Sequence, residues 1–459
     1  MLIVSMAADH YLIGVLLLAV PGMLFLLVGS PVRILLVVFA MQIVLTISQL
    51  NILITGIPSI RADDLLTLWL VCLWILSLPD RSMKGIRIGL QGKFIVLFLI
   101  VFGIAAYRGF AAGQSTFSLI NQLKTYGAYF LYFPLLWILS DRESCKLIWN
   151  VLLASAVIGG LIYLIKGFSG TGEDVYIRDT TGLRIATRQP NAIGAVLMVF
   201  LGKLWKNWKE RPPLIIIVPA IILMGAGIIL SQIRGLWGGV ILALAAAWIL
   251  NLFRKKDNVK LGKKLVISLT VISVLVILVV FTISTLGILS ASNIARRTGT
   301  ESGSYLTDIS TLSRIVAWSA IIDDLRGSGI IIGNGLGDEY TCFRPDIGGV
   351  ITVYYTDSSY FQIALNMGII GVIVFLGIFV VTLFRAAKLF IITDSRRRAG
   401  TALGIFCAVI MLLFASGFAS VMTNYRFTML WAFLPALLQA EIMKDKKDSI
   451  LISSECSGK

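Results

Sequence analysis

Apolar runs about as long as a bilayer is thick recur along the whole chain, and they restrict its fold more than any other feature. They fall at 11–29, 32–54, 64–79, 94–110, 118–139, 146–166, 190–205, 213–230, 235–253, 264–288, 357–384, 399–419 and 422–441. Hydrocarbon holds no water to bond to an open backbone, so each run must close its hydrogen bonds within a helix. The expected architecture is therefore all-α: a polytopic transmembrane helical bundle of 12–14 spans, 13 favoured, forming a single transmembrane domain over 1–459. Hydrophobic residues make up 58% of the chain and charged residues 14%, which leaves too little polar surface for a water-soluble protein of this length. The stretch Tyr11–Gly29 lacks a preceding basic region, so it reads as a first span rather than a cleavable signal peptide.

The net charge of +16 does not point to a nucleic-acid partner, because of where the charges sit. Clusters at Arg81–Lys93, Lys203–Arg211, Arg254–Lys264 and Arg385–Arg398, with Lys444, Lys446 and Lys447 in the tail, all fall on one face if the spans alternate. Lys and Arg are retained on the cytoplasmic side of a membrane. That face is then cytoplasmic, the tail 442–459 lies inside, and thirteen spans put the N-terminus outside. Two polar segments fall on the opposite face: an outside loop at 167–189 and a large outside loop at 289–356. The larger one contains an amphipathic stretch, Leu312–Leu325, expected to be a short helix with Leu312, Ile315, Val316 and Ile322 on one face. Long ordered loops on a compact scaffold are where function concentrates. The five cysteines have no metal-type spacing.

The candidate chemistry lies on the outside face. Arg234, in Ser231-Gln-Ile-Arg-Gly235, interrupts two nearly continuous apolar runs. Arginine near hydrocarbon either faces a cavity or partner or snorkels to headgroups. Arg184 and Arg188 precede Pro190-Asn191 at the start of a span, where free backbone N–H groups also favour anions. With Arg234 they would form a guanidinium cluster suited to a diphosphate. Arg314, Trp318 and Gly333-Asn-Gly-Leu-Gly337 lie in the large loop. The glycine run has no GxGxxG spacing and no following Lys, so it is a turn returning the chain toward the membrane rather than a nucleotide loop. Asp357 opens the next span as either helix cap or proton acceptor, followed by Tyr360 and Gly368-Ile-Ile-Gly371. Asp323, Asp324, Asp338, Glu339 and Asp346 are further outside carboxylates. No Asp-x-Asp pair occurs, and a solvated loop surface is the expected role for most of them. The one histidine, His10, reads as an interfacial residue.

Four stretches together resemble the O-antigen polymerase and O-antigen ligase family of bacterial membrane glycosyltransferases: Arg184 to Asn191, Ser231 to Gly235, Arg314 to Gly337, and Asp357 to Gly371. The resemblance covers about the last two thirds of the chain. It implies a donor glycan carried on a polyprenyl diphosphate in the inner (plasma) membrane and transferred at its outer face, with no metal and no cofactor. Arg184, Arg188, Arg234 and Arg314 would hold the diphosphate, Asp357 would accept the proton of the acceptor hydroxyl, and Asn191 and Tyr360 would support the site. The implied partners are the lipid-linked oligosaccharide and membrane lipids, with flippase and chain-length regulator proteins as further candidates. Ligase-type members carry His where this chain has Asp357 and Asn where it has Ser358, so the departure favours a polymerase over a ligase. A flippase for the same lipid-linked units is a rival of another class. Against it, no repeat relates the two halves and the charges lie at the span ends rather than mid-span.

Overall fold

The structure, a computed structural model, describes residues 30–45, 62–77, 87–169, 175–178, 182–185, 189–206, 213–231, 233–254, 309–326, 329–344, 348–423 and 425–457. His10, the expected spans 11–29 and 264–288, and the first part of the large loop lie outside them. The described helices are α1 Pro31–Val44, α2 Ala62–Leu76, α3 Gly89–Ala111, α4 Thr116–Gly127, α5 Tyr132–Ser140, α6 Arg142–Ser169, α7 Gln189–Lys206, α8 Leu214–Leu230, α9 Arg234–Leu252, α10 Ile309–Asp324, α11 Gly329–Ile332, α12 Ser359–Ile392, α13 Arg396–Phe418 and α14 Tyr425–Ser457. Two antiparallel hairpins, β1 Val175–Arg178 with β2 Gly182–Ile185 and β3 Tyr340–Arg344 with β4 Gly349–Val353, were not expected from the apolar pattern. The protein is a helical integral membrane protein. Among the described residues, α3, α6, α9, α12 and α13 are long and apolar enough to cross a bilayer, and α1 and α8 are shorter apolar helices.

Helix α13 is central, with α7, α9 and α12 packed around it; α12 also lies on α3, and α6 on α1 and α8. Small residues allow this closeness. A Cβ added at Gly404 would run into the backbone of Val199, and one at Gly400 into Gly202 and Lys203, so α7 and α13 meet backbone to backbone. Such contact recovers dispersion energy where apolar burial gives no drive between helices.

Cross-helix hydrogen bonds sort the helix ends onto two faces. At one face the Leu45 carbonyl accepts from Gln189 Nε2 at 2.8 Å, and Lys124 pairs with Asp64 at 2.9 Å. Tyr129 donates to the Met422 carbonyl there, at 3.1 Å. At the other face Arg385 Nη1 donates to Gln91 and Gln439, and Arg254 Nη2 to the Thr393 carbonyl at 3.1 Å. The first face carries α10, α11 and the β3–β4 hairpin and is here the loop end; the second is the basic end. This grouping matches the alternation that the basic clusters imply.

Two expected spans are interrupted. The run 118–139 is divided by a 3-10 turn at Ala128–Leu131 between α4 and α5. Pro134 follows within the first turn of α5, where it has no N–H to return to the Phe130 carbonyl. The longer α12 breaks at Gly368, whose φ of 66° and ψ of −168° no other residue type adopts at low cost. The break strands two carbonyls inside the bundle, and the glycine turn after α11 satisfies them. Asn334 N donates to Leu365 O at 2.8 Å and Gly335 N to Asn366 O at 3.1 Å. Leu336 N then reaches Ala105 O of α3 at 2.9 Å. Ala105 lies six residues inside the end of α3, or about 9 Å at 1.5 Å per residue. The turn is therefore a wedge set into the bundle, where irregular backbone survives because protein covers it.

Candidate active site

The elements that carry the sequence candidates gather at the loop end. Gly235, in the first turn of α9, faces Phe418 at the end of α13, and a Cβ there would sit 3.2 Å from the Phe418 Cβ. From the opposite side the start of α12 meets the same end of α13: Ser358 Oγ donates to Ser416 O at 3.4 Å, and the Tyr360 hydroxyl donates to Leu413 O. Gly194 of α7 lies between Met411 of α13 and Leu236 of α9. The loop-end termini of α7, α9 and α12 thus surround one helix end, and these termini bear or directly follow Arg188, Arg234 and Asp357.

Arg234 is the first residue of α9. The turn before it is held by Ser231, a buried residue whose Oγ donates to Ile228 O at 2.6 Å, and by Trp237 Nε1, which donates to the same carbonyl at 3.0 Å. Both bonds fix where the chain enters α9. Arg184 lies in β2 opposite Tyr176 of β1. The side chains of Arg184 and Arg234, and Arg188 entirely, are outside the described residues, so the expected guanidinium cluster lies outside them too. Asn191 is 1% exposed in the first turn of α7. It belongs to the packed interior there.

Asp357 stands one residue before the helix cap. Ser358 occupies the cap position of α12, with φ −123° and ψ 129°. The capping alternative for Asp357 therefore passes to its neighbour by position. The flanking chain is pinned: Thr356 N donates to Gln362 Oε1 at 2.7 Å, and Gln362 Nε2 and Gln122 Nε2 both donate to Tyr354 O, at 2.9 and 3.1 Å. The half-buried Asp357 carboxylate makes no hydrogen bond or ion pair among the described residues. It faces Tyr340 of β3, whose phenol donates to Tyr355 O at 3.2 Å. Burial, with the Asp357 charge adding to it, pushes the Tyr340 phenol up to about 12.

Arg314 lies on the half-buried side of α10, and its Nε is buried without a hydrogen-bond partner. One turn on, Trp318 stacks on Phe361 of α12, with centroids 5.1 Å apart and planes 13° from parallel. Helix α10, which carries Arg314, packs on β3 through Ala317 and Ile321 against Tyr340 and Cys342. The expected amphipathic helix is present. Ala317, Ile321 and Leu325 are buried against Tyr340, Cys342 and Leu365, whereas Leu312, Ile315 and Ile322 are exposed. Tyr340, Phe361 and Arg108, whose Nη1 donates to the carbonyls of Ile332 and Gly333, were not sequence candidates. The alternation of β-branched and aromatic residues over 340–353 was the available signal for the hairpin that presents Tyr340.

The loop carboxylates are engaged in structure. Asn334 Nδ2 donates to Asp324 Oδ2 at 2.8 Å and to Asp338 Oδ2 at 2.9 Å, and Gln114 Nε2 donates to Asp338 Oδ1 at 3.0 Å. Ser118 Oγ donates to Glu339 at 3.2 Å, and Asp323 pairs with Arg326 at 2.7 Å. Among the described residues no three His, Cys, Asp or Glu side chains are grouped to hold a metal; Asp346 is outside them. Partial burial and the neighbouring Asp338 raise the Asp324 carboxyl above the usual range.

Residues 219–376 match the family model described as O-antigen ligase. The matched segment runs from within α8 to the middle of α12 and holds Arg234, Arg314, Asp357 and Tyr360, while Arg184, Arg188 and Asn191 precede it. No curated protein matches the chain.

Proposed function

We propose, from the match of residues 219–376 to the O-antigen ligase family model, that the chain is a glycosyltransferase of the bacterial inner membrane. In this reading it polymerises polyprenyl-diphosphate-linked oligosaccharide repeat units into O-antigen or another envelope polysaccharide, with the loop end facing outward. The observation that carries the reading is the half-buried carboxylate of Asp357, which has no hydrogen bond or ion pair among the described residues and stands at the rim where the termini of α7, α9 and α12 meet α13. The acceptor sugar hydroxyl attacks the anomeric carbon of the donor glycan, and Asp357 takes the hydroxyl proton as the new glycosidic bond forms. The bond from that carbon to the diphosphate breaks, and the negative charge released on the lipid diphosphate falls to Arg184, Arg188, Arg234 and Arg314. Fixed cations in a water-poor site stabilise such charge strongly, and the guanidinium fork suits a diphosphate better than an ammonium does.

A purified-protein assay with lipid-linked repeat units tests this directly. Arg234→Ala should abolish elongation while the yield of folded protein is kept, and Arg234→Lys should restore it only in part. Full activity in both variants would overturn the diphosphate clamp. The ligase alternative keeps the same clamp and differs in the acceptor. Deleting a polymerase leaves single repeat units on the acceptor, whereas deleting a ligase leaves none. A flippase would not lengthen glycan in detergent at all.

A further inference from the structure

A second charged assembly lies at the basic end, away from the site above. Arg398 of α13 donates from Nη1 to Asp445 Oδ1 of α14 at 2.9 Å, and its Nε lies 4.0 Å from Glu441. Lys444 is likewise 4.0 Å from Glu441. Thr393, between α12 and α13, donates to Asp445 Oδ1 at 3.0 Å and accepts through its carbonyl from Arg254 Nη2, just past α9, at 3.1 Å. Lys203 of α7 sits 3.6 Å above the ring centroid of Trp149 on α6 and within electrostatic reach of Glu441, Arg397 and Lys444. The five cations of this assembly outnumber Glu441 and Asp445 even with Asp394, exposed at the rim, counted in.

Hydrogen bonding leaves several of these donors unserved. Arg254 is 7% exposed, with its guanidinium 5.0 Å from the Phe390 ring centroid, and its Nε and Nη1, like the Lys444 Nζ, are buried without a hydrogen-bond partner among the described residues. A buried cation stripped of water is costly unless an anion or acceptors face it, and each unpaired buried donor needs an explanation. Here the unpaired donors cluster, come from different helices, and carry the same sign.

We propose that this charged cluster binds a phosphate-bearing anion through Arg254, Lys203, Arg398 and Lys444. Arginine offers paired N–H groups to phosphate oxygens, and the lysines add point charge. Two sources share this chemistry: the phosphodiester headgroup of an anionic phospholipid and free cytosolic phosphate. In the orientation that the basic clusters imply, the helix ends that form the cluster lie at the cytoplasmic headgroup level, where basic sites between spans bind anionic headgroups.

The test uses the full chain, purified in detergent and delipidated, with native mass spectrometry reading retained adducts. Phosphatidylglycerol, phosphatidylcholine and inorganic phosphate are offered separately, and phosphate is also offered in competition with phosphatidylglycerol. The expected result is preferential retention of phosphatidylglycerol over phosphatidylcholine. Arg254→Gln or Lys444→Gln should weaken that retention about tenfold, the ratio for one lost contact of roughly 1.4 kcal/mol. Retention of inorganic phosphate, or its displacement of phosphatidylglycerol, with the same loss in the variants, upholds the site and assigns it to the soluble anion. Equal retention of the two lipids by the unaltered protein, with no phosphate bound, overturns the proposal, and this arm decides even if a variant fails to fold.

Discussion

A shift of one position along α12 takes Asp357 off the helix cap. Ser358 takes the cap position without a side-chain cap hydrogen bond, and the Asp357 carboxylate makes no hydrogen bond or ion pair among the described residues. Asp357→Asn should therefore cost little stability but slow elongation by about 10²-fold or more, the usual contribution of a positioned base. Unchanged elongation with lipid-linked units would return Asp357 to a structural role. Asp324 gives a second test at this scale. Its folded-state pKa is raised, first by burial and then by Asp338, so its contribution to stability is present in acid. That contribution fades as pH climbs from the ordinary carboxylate value near 4 through the raised one. Hydrogen exchange of the Asn334 and Gly335 amides should speed up across that window, and Asp324→Asn should flatten the dependence. These carboxylates were visible in the sequence, but the bridging Asn334 that commits two of them to structure was not, because their pairing spans fourteen residues of loop.

At the scale of elements, hydropathy located the helices but not their breaks. The run through Gly368 is apolar on both sides, and nothing in its periodicity marks a residue at φ 66°. The cause lies elsewhere in the chain, in Gly333 to Gly337, whose amides cap the freed carbonyls. Likewise the apolar pattern of α10 does not tell that Ala317, Ile321 and Leu325 pack against β3 while Leu312, Ile315 and Ile322 stay exposed. Such choices depend on partners that local pattern does not contain. Gly333 has φ 73° and packs against the backbone of Asn366 and Met367. Gly333→Ala and Gly368→Ala should each destabilise the protein by about 1–3 kcal/mol from backbone strain alone, with further loss from steric contact. Thermal unfolding in detergent would show it as a lowered midpoint, and elongation should fall because α12 carries Asp357. A midpoint equal to that of the unaltered protein in both variants would mean that the wedge does not hold the helix break.

For the whole molecule, the sequence made the two-faced arrangement legible because positive charge and apolar length are both imposed by the bilayer rather than by packing. Helix ends that the basic clusters assign to one side are joined by Arg254–Thr393 and Arg385–Gln439 contacts, and the ends assigned to the other side by Gln189–Leu45 and Ser358–Ser416. The contacts fix which ends lie together, while the charge bias says which face is cytoplasmic. Single cysteines in a cysteine-free background separate the two statements. Val350, 67% exposed on β4 at the loop end, should as Val350→Cys react with a membrane-impermeant maleimide in intact cells. Arg142, the exposed first residue of α6 at the basic end, should as Arg142→Cys react only after permeabilisation. Labelling of both in intact cells would break the alternation itself. A clean reversal would keep the bundle but turn the loop end inward, and transfer at the outer face would then lose its site.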